Sequence, residues 1–237
     1  MELNEIIMDA LHFPFNNISS LIVYLVLGLI ASIIAIFTGV INLINNTGTS
    51  SPGLIVSLIG LILCLIIYFV INGYELDIMK SGISRSSDAP SIDITRQIIE
   101  GVKLFVVQLV YFIIPLLLTL ICALIFSRGI TMIIGFILFV LFAFVETMGE
   151  CRLAKTEDLN YALKVNEAIG DMERIGVSKV IITILVVGIL VAVISYILSA
   201  IFGFISQDLN VIVSAIVSVY LVFFENRATG LLYSDLY

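Results

Sequence analysis

The sequence predicts an all-α polytopic membrane bundle, with six transmembrane helices and three interfacial amphipathic helices. Of its 237 residues, 61% are apolar and only 12% are charged, and the mean hydropathy is +1.21. Soluble domains are about 45–50% apolar and about one quarter charged. Because a domain of this size still exposes roughly a quarter to a third of its surface, the composition excludes a water-soluble globule. It also excludes a disordered chain, since disorder requires low hydrophobicity.

Six apolar runs supply the predicted spans. A bilayer core about 30 Å thick is crossed by about 20 helical residues. The runs are continuously apolar, whereas the strands of a membrane barrel alternate in polarity and are about half as long. We therefore predict helices, which satisfy every backbone polar group within lipid. We place the six spans at 21–44, 54–74, 104–126, 130–149, 180–203 and 209–224, the last being the shortest.

The distribution of Lys and Arg predicts the orientation. There are none of these residues in the N-terminal segment, four in the loop 75–103, five in the loop 150–179 and one in the C-terminal tail. The opposite side has only Arg128. The positive-inside rule then puts both termini in the cytoplasm of a multi-pass cell-membrane protein. The first run is too long for a removable signal peptide and has no Lys or Arg before it, so it is expected to remain as a span. The short, nearly uncharged loops on the other side exclude a large extracellular domain.

Three segments with helical periodicity precede the odd-numbered spans, at 2–15, 95–105 and 158–176. In each of them apolar residues recur at spacings of three and four, which is one stripe of a helix. Such helices are typical of the membrane surface. The alternative is that they are solvated linker helices.

A threefold internal pattern is the sharpest feature of the sequence. Each even-numbered span ends in an aromatic-rich stretch, a polar residue and a glycine, and the polar residues are Asn72, Glu146 and Glu225. Within a single membrane domain of residues 1–237, this pattern predicts repeat units at 1–74, 93–149 and 158–230. Units of two spans share one orientation, so their symmetry axis would run along the membrane normal. We hypothesise that the three polar residues gather around a cytoplasmic vestibule.

Glu146 is the most informative of the three, because it lies about one turn inside the end of the fourth span. An acid within a span faces the bundle interior or a wet cavity. The negative end of the helix dipole also lies there, so a basic partner is expected. This acid either closes a structural ion pair or reaches the interface, or it serves transport. The candidate partners are Lys103, Arg152 and Lys179.

Two further patterns concern packing. Small residues promote close contact of helices in lipid. One continuous stripe of them on the fifth span predicts its buried face, and it comprises Gly188, Ala192, Ser195, Ser199 and Gly203. Pro115 lies in the third span and cannot donate a backbone hydrogen bond, so it predicts a kink there, either a hinge or a fixed bend. The nearby Gln108, Tyr111 and Thr119 can reach the carbonyl that Pro115 leaves free.

No catalytic, nucleotide-binding or metal-ligand motif is present. The single histidine, His12, has no second ligand near it in sequence, and the three cysteines form no CxxC pair. We therefore expect no catalytic residue, no cofactor and no metal, and we expect that the protein is not an enzyme.

The stretch from 72 to 115 resembles a known family. It reads Asn72-Gly73-Tyr74, then Lys80-Ser81 and Pro90, then Gly101-Val102-Lys103, and finally Tyr111 followed by Pro115. This order is similar to that of an archaeal family of integral membrane proteins of unknown function. The resemblance implies a cell-membrane protein of about six spans, and it implies no activity and no catalytic residues.

Two functions follow as hypotheses. The first is a non-enzymatic scaffold, accessory subunit or envelope-maintenance component, because charge is concentrated on one side and no catalytic cluster is present. Its partners would be membrane lipids and another membrane protein or a second copy of the chain, with no nucleic acid. The second is a small-solute transporter or permease with a polar vestibule on the cytoplasmic side, for which Pro115, the repeat and Glu146 argue. A polar cavity inside the bundle would favour transport, and a dry core would favour a scaffold.

Overall fold

The structure, a computed structural model, describes residues 1–40 and 53–237, apart from the side chains at 207–209, 211, 212 and 215. This part of the chain forms nine α-helices and one short 3-10 helix at Ser234–Leu236, with no strand. The α-helices are α1 (Leu3–Asn16), α2 (Ile18–Phe37), α3 (Leu54–Ile83), α4 (Ile94–Ile125), α5 (Arg128–Thr156), α6 (Leu159–Ala162), α7 (Val165–Ile175), α8 (Val177–Ile205) and α9 (Gln207–Tyr233).

Five of the described helices, α2, α3, α4, α5 and α8, are long and apolar enough to cross a membrane. The first five predicted spans fall on these helices, although residues 41–44 of the first lie outside the described residues. The sixth predicted span, 209–224, falls within α9, which is helical but is not among the five. The helices α3 and α5 continue well beyond the predicted span ends at 74 and 149. The apolar runs marked only the lipid-facing part of these helices, because their extensions pack against protein.

The predicted amphipathic segments take three different forms. The first is a separate helix, α1, whereas the second is simply the beginning of the continuous helix α4, and the third is divided into α6 and α7. Two of the apolar stripes are buried against protein, since Ile6 and Ala10 of α1 and Ala168 of α7 are fully buried, whereas Val102 and Phe105 of the second segment are exposed. The stripes of α1 and α7 therefore pack against the rest of the described chain.

The core of the described chain lies at the end of the bundle that carries the charged loops, which we call the charged end. Its members come from the amphipathic segments, from α4 and α8, and from the last turns of α3, α5 and α9, and include Leu76, Met148, Cys151, Phe224 and Leu231. Towards the opposite end the large apolar side chains are exposed, as with Leu124 (87%) and Phe204 (95%). Such a surface is what lipid would cover.

Glycines allow the long helices to touch at the charged end. A Cβ added at Gly73 would overlap the backbone of Gln97 in α4, and one added at Gly101 would overlap the backbone of Phe69 in α3. In the same way Gly230 of α9 lies against the backbone of α3. These contacts fix α3 between α4 and α9, since no side chain separates the backbones.

The small-residue stripe on α8 does not have the position that the sequence predicts. Four of its members, Gly188, Ala192, Ser195 and Gly203, are exposed, and Ser199 is half-buried. The buried positions of α8 are instead Val180, Thr183 and Val187. The prediction that the stripe is the buried face within the chain is therefore wrong. The part of α8 nearer the charged end packs against protein, because the core lies at that end.

Pro115 lies inside α4 and is buried. The side chains that the sequence assigns to the freed carbonyl make other contacts. The Thr119 hydroxyl donates to the carbonyl of Pro115 itself (2.7 Å), the Tyr111 hydroxyl donates to the carbonyl of Ala162 (2.9 Å), and the Gln108 amide donates to Glu150 (2.8 Å). Thr119 thus bonds within α4, whereas Tyr111 and Gln108 bond to neighbouring segments.

Candidate functional site: an acidic chamber at the charged end

A polar cavity of about 260 Å³ lies between α3, α4, α5 and α9 at the charged end. Three of its lining residues are glutamates, one from each of α3, α5 and α9. The lining residues are Glu75, Met79, Leu104, Gln108, Thr147, Glu150, Val222, Glu225, Asn226 and Thr229. We call this cavity the acidic chamber. Three acids line it, and no base does.

The three glutamates differ in their hydrogen bonds. Glu75 accepts a hydrogen bond from the Tyr24 hydroxyl (2.7 Å), and Glu150 accepts one from the Gln108 amide (2.8 Å). Glu225 is the most exposed of the three and accepts no hydrogen bond from any described residue. Two carboxylates are thus positioned by hydrogen bonds from neighbouring helices.

A second charged residue follows each glutamate two positions later, at Asp77, Arg152 and Arg227. Since a helix turns by about 100° per residue, positions i and i+2 point about 200° apart. The glutamate therefore faces the chamber while its neighbour faces away from it. Each outward residue forms an ion pair with another segment. We call these three contacts the outer ion pairs: Asp77 with Arg96 (2.6 Å), Arg152 with Asp171 (2.7 Å) and Arg227 with Asp9 (2.7 Å).

The Arg152–Asp171 pair joins α5 to α7 and is the most deeply buried of the three. The two side chains are 5% and 2% exposed. Arg152 also donates to the carbonyl of Tyr161 (3.0 Å), and Asp171 accepts from the Tyr233 hydroxyl (2.7 Å) and from Arg174 (2.6 Å). A buried pair is stable only when such additional hydrogen bonds satisfy its remaining atoms.

The other two outer ion pairs are also reinforced. The buried Arg227 of α9 reaches Asp9 of α1, donates to the carbonyl of Ser86 (2.6 Å) and lies over the ring of Phe13 (4.6 Å). On the other side, Arg96 of α4 holds Asp77 through two hydrogen bonds, of 2.6 and 2.8 Å. Bidentate pairing of this kind is among the stronger polar contacts.

Two clusters of ion pairs, around Lys80 and around Asp235, close the rim of the charged end. Lys80 binds Glu100 (2.7 Å) and Glu157 (2.8 Å), and the hydrogen bond from Lys80 lowers the pKa of Glu157 below its ordinary value. Burial raises the pKa of Asp235, but hydrogen bonds from Lys179 and the Met1 amino group outweigh burial, so the net pKa is lowered. Both carboxylates are therefore charged at neutral pH.

The structure brings only one of the three predicted vestibule residues to the chamber. Glu225 lines it, whereas Asn72 and Glu146 are not among its lining residues. Asn72 is buried, and its amide nitrogen has no partner among the described residues. The bases expected beside Glu146 bind elsewhere: Lys103 to the carbonyl of Glu157, Arg152 to Asp171, and Lys179 to Asp235.

Sequence reasoning missed Glu75 and Glu150, although a signal for them was present. Glu75, Glu150 and Glu225 are separated by two equal intervals of 75 residues, whereas the predicted set was separated by 74 and 79. The aromatic-glycine endings pointed to Asn72 and Glu146, which lie three and four positions before Glu75 and Glu150. On a helix, such a shift leaves the face similar but moves the residue one turn along the axis.

The chamber has no preformed metal-binding geometry. Within the part of the chain that the structure describes, no group of three or more His, Cys, Asp and Glu side chains is arranged to hold a metal ion. No histidine or cysteine is among the lining residues of the chamber.

The fold and the site define a class, that of helical multi-pass membrane proteins whose polar residues gather at one end of the bundle. A family model described as "Protein of unknown function (DUF4013)" matches residues 56–203, which is more than half of the chain. The chain therefore belongs to this family of unknown function. No curated protein and no solved structure matches it. The archaeal origin and the motif that the resemblance named stay predictions.

Proposed function

We propose that this protein is a cell-membrane transporter or permease that binds a small, positively charged solute in the acidic chamber. The observation that supports the proposal is the arrangement of Glu75, Glu150 and Glu225, which come from three helices to line one cavity of about 260 Å³. Like charges that share a site raise each other's energy, and a cation relieves this. The cavity is large enough for a small solute with some of its hydration water.

The proposed topology has six crossings, with α9 as the sixth, and both termini in the cytoplasm. The distribution of Lys and Arg supports it, since ten of the eleven lie on one predicted side. In α9 the apolar stretch is followed by Glu225 and Arg227, just as Glu75 and Asp77 follow the apolar stretch of α3. We propose that the chain is a threefold repeat of two-span units, with the acidic chamber on the axis at the cytoplasmic end.

Thermal stability of the purified protein in a mild detergent tests cation binding. Spermidine, Na⁺ and Ca²⁺ are each compared with choline chloride at equal ionic strength. We expect at least one of them to raise the Tm of the wild type and to have little effect on Glu225→Gln, which removes the free carboxylate without changing its shape. The matched control is Glu173→Gln, an exposed acid on α7 that does not line the chamber. If no cation stabilises the wild type more than choline does, cation binding in the chamber is rejected.

The second candidate is a non-enzymatic scaffold, accessory or envelope-maintenance component. It is favoured by the exposed stripe of small residues on α8, because such stripes let a second transmembrane helix approach closely. Its partners would be membrane lipids and a membrane protein or another copy of the chain, without nucleic acid. Purification in a mild detergent that yields neither a stoichiometric partner nor a lipid would argue against it. Under either candidate the protein is not an enzyme.

A further inference from the structure

Glu146 of α5 is an acid for which the acidic chamber gives no role. It lies within the fourth predicted span and is half-buried. No hydrogen bond or ion pair joins it to any other residue in the described part of the chain. The three bases expected beside it bind other groups. A structural ion pair therefore does not explain an acid at this position.

Glu146 lies one helical turn deeper in the bundle than Glu150 of the same helix. Four residues correspond to about 6 Å along the axis and about 40° around it, so the two side chains share a face of α5. Glu150 lines the acidic chamber, and so does Thr147, the residue next to Glu146. Glu146 therefore lies at the inner end of the chamber. Because it is half-buried rather than sealed, a proton can reach it from there.

The equivalent positions on the other two inner helices are apolar. Ile71 of α3 and Leu221 of α9 each precede a chamber glutamate by four residues, and each lies 75 residues from Glu146. Leu221 is 3% exposed, and Ile71 packs against buried hydrophobic residues. Apolar side chains thus suffice for packing at this level of the bundle. The acid at the third position requires another reason.

The titratable groups around Glu146 supply no positive charge. Glu146 interacts electrostatically with Tyr111 of α4 and with Glu150 of its own helix. Glu150 in turn interacts with Glu75 of α3 and Glu225 of α9. All of these groups are acids, so none of them stabilises Glu146 in its ionised form.

We propose that Glu146 is a proton-binding site, which holds a proton inside the bundle and exchanges it with water in the acidic chamber. An ionised carboxylate that leaves water without a partner is very costly, and such a group takes up a proton instead. Acids that face the interior of a membrane bundle are typical of proton pathways. The ligand is the proton itself, so the site does not depend on a solute in the chamber.

Labelling with dicyclohexylcarbodiimide tests whether Glu146 is protonated. The carboxyl oxygen adds to the central carbon of this apolar reagent while the acid's proton moves to a nitrogen, and rearrangement gives a stable N-acylurea. The purified chain is treated in a mild detergent, and tandem mass spectrometry separates an adduct on Glu146 from one on Glu150. We expect Glu146 to be labelled at about pH 6 and at least about tenfold less at about pH 9, since the protonated fraction falls about tenfold per pH unit once the acid ionises. The matched control is Glu173, an exposed acid on α7, which should stay unlabelled at both.

Thermal unfolding gives an independent measurement, with Glu146→Gln as the variant that has the shape of the protonated acid. Above about pH 4.3, where a glutamate in the unfolded chain is ionised, the folded wild type holds one proton more than the unfolded chain. Raising the pH should therefore lower Tm of the wild type relative to the variant, by about 3–5 °C per pH unit until Glu146 ionises. The control Glu173→Gln should show no such change.

Three results would overturn the proton site. The first is the absence of an adduct on Glu146, and the second is an adduct that forms equally at both pH values. The third is a Glu146→Gln variant that is less stable than the wild type by the same amount at every pH, because an ionised carboxylate would then hold a structural contact.

The labelling uses the wild-type chain, so it decides the question even if Glu146→Gln does not fold. Neither measurement includes an added solute. A failure of cation binding in the acidic chamber would therefore leave both results unaffected.

Discussion

The buried pair between Arg152 and Asp171 offers the most decisive test of how the charged end is held together. The change Asp171→Ala leaves the guanidinium of Arg152, 5% exposed, without its carboxylate, and it leaves the Tyr233 hydroxyl without its acceptor. Removing one partner of a buried pair costs about 3–5 kcal/mol. An unsatisfied hydroxyl costs about 1–3 kcal/mol by itself, but the two losses overlap because they share one carboxylate.

We therefore expect Asp171→Ala to lower the free energy of unfolding by about 4 kcal/mol, in the middle of the range for a broken buried pair. At about 2–4 °C per kcal/mol for a chain of this size, Tm falls by about 8–16 °C. The double variant Arg152→Met with Asp171→Leu should lose much less, since replacing both charges by apolar groups leaves no buried charge unpaired.

Cys151 provides the assay, because its thiol is fully buried next to the pair and becomes reactive only when the charged end unfolds. Cys64 and Cys122 are half-buried and are first replaced by alanine, so that a thiol-reactive dye reports on Cys151 alone. The reasoning would be refuted if Asp171→Ala lowered Tm by less than about 2 °C, or if the double variant were less stable than Asp171→Ala.

Two further predictions follow from the same structure. Gly73→Ala should cost about 1–3 kcal/mol of unfolding free energy, because its Cβ would overlap the backbone of Gln97. The control is Gly28→Ala, whose Cβ would meet nothing within 4 Å, and it should leave the unfolding free energy unchanged or raise it by about 0.5–1 kcal/mol. Equal effects of the two changes in thermal unfolding would contradict the contact between α3 and α4. The pKa of Asp235 is lowered in the folded state, so its contribution to stability is complete above the unfolded pKa of about 3.9 and is lost as pH falls through the folded pKa. Tm of the wild type should therefore fall more steeply below about pH 4 than Tm of Asp235→Asn, and parallel curves would show that the ion pair with Lys179 adds nothing.

The amino-acid sequence alone determined that this is a helical membrane protein and where five of its long apolar helices lie. This information is local and additive, because a run of about 20 apolar residues has the same meaning whatever its neighbours are. The amphipathic stripes were also readable, since their periodicity depends only on the helix. The sequence did not show whether lipid or protein covers these stripes. Those of α1 and α7 lie against protein, because other helices end beside them.

Only the tertiary structure decided which polar residues share a site. Glu75 and Glu150 lie beside Glu225 because α3, α5 and α9 meet at the charged end, whereas Asn72 and Glu146 do not line the chamber. The partners of Arg152 and Arg227 are likewise set by packing, since Asp171 and Asp9 belong to other helices. The small residues of α8 show the same limit, because a stripe records that a face can pack closely but not which molecule covers it. A periodic pattern describes one helix, whereas a site is formed by side chains from several helices. Which helices meet is decided by burial and charge pairing in the assembled fold.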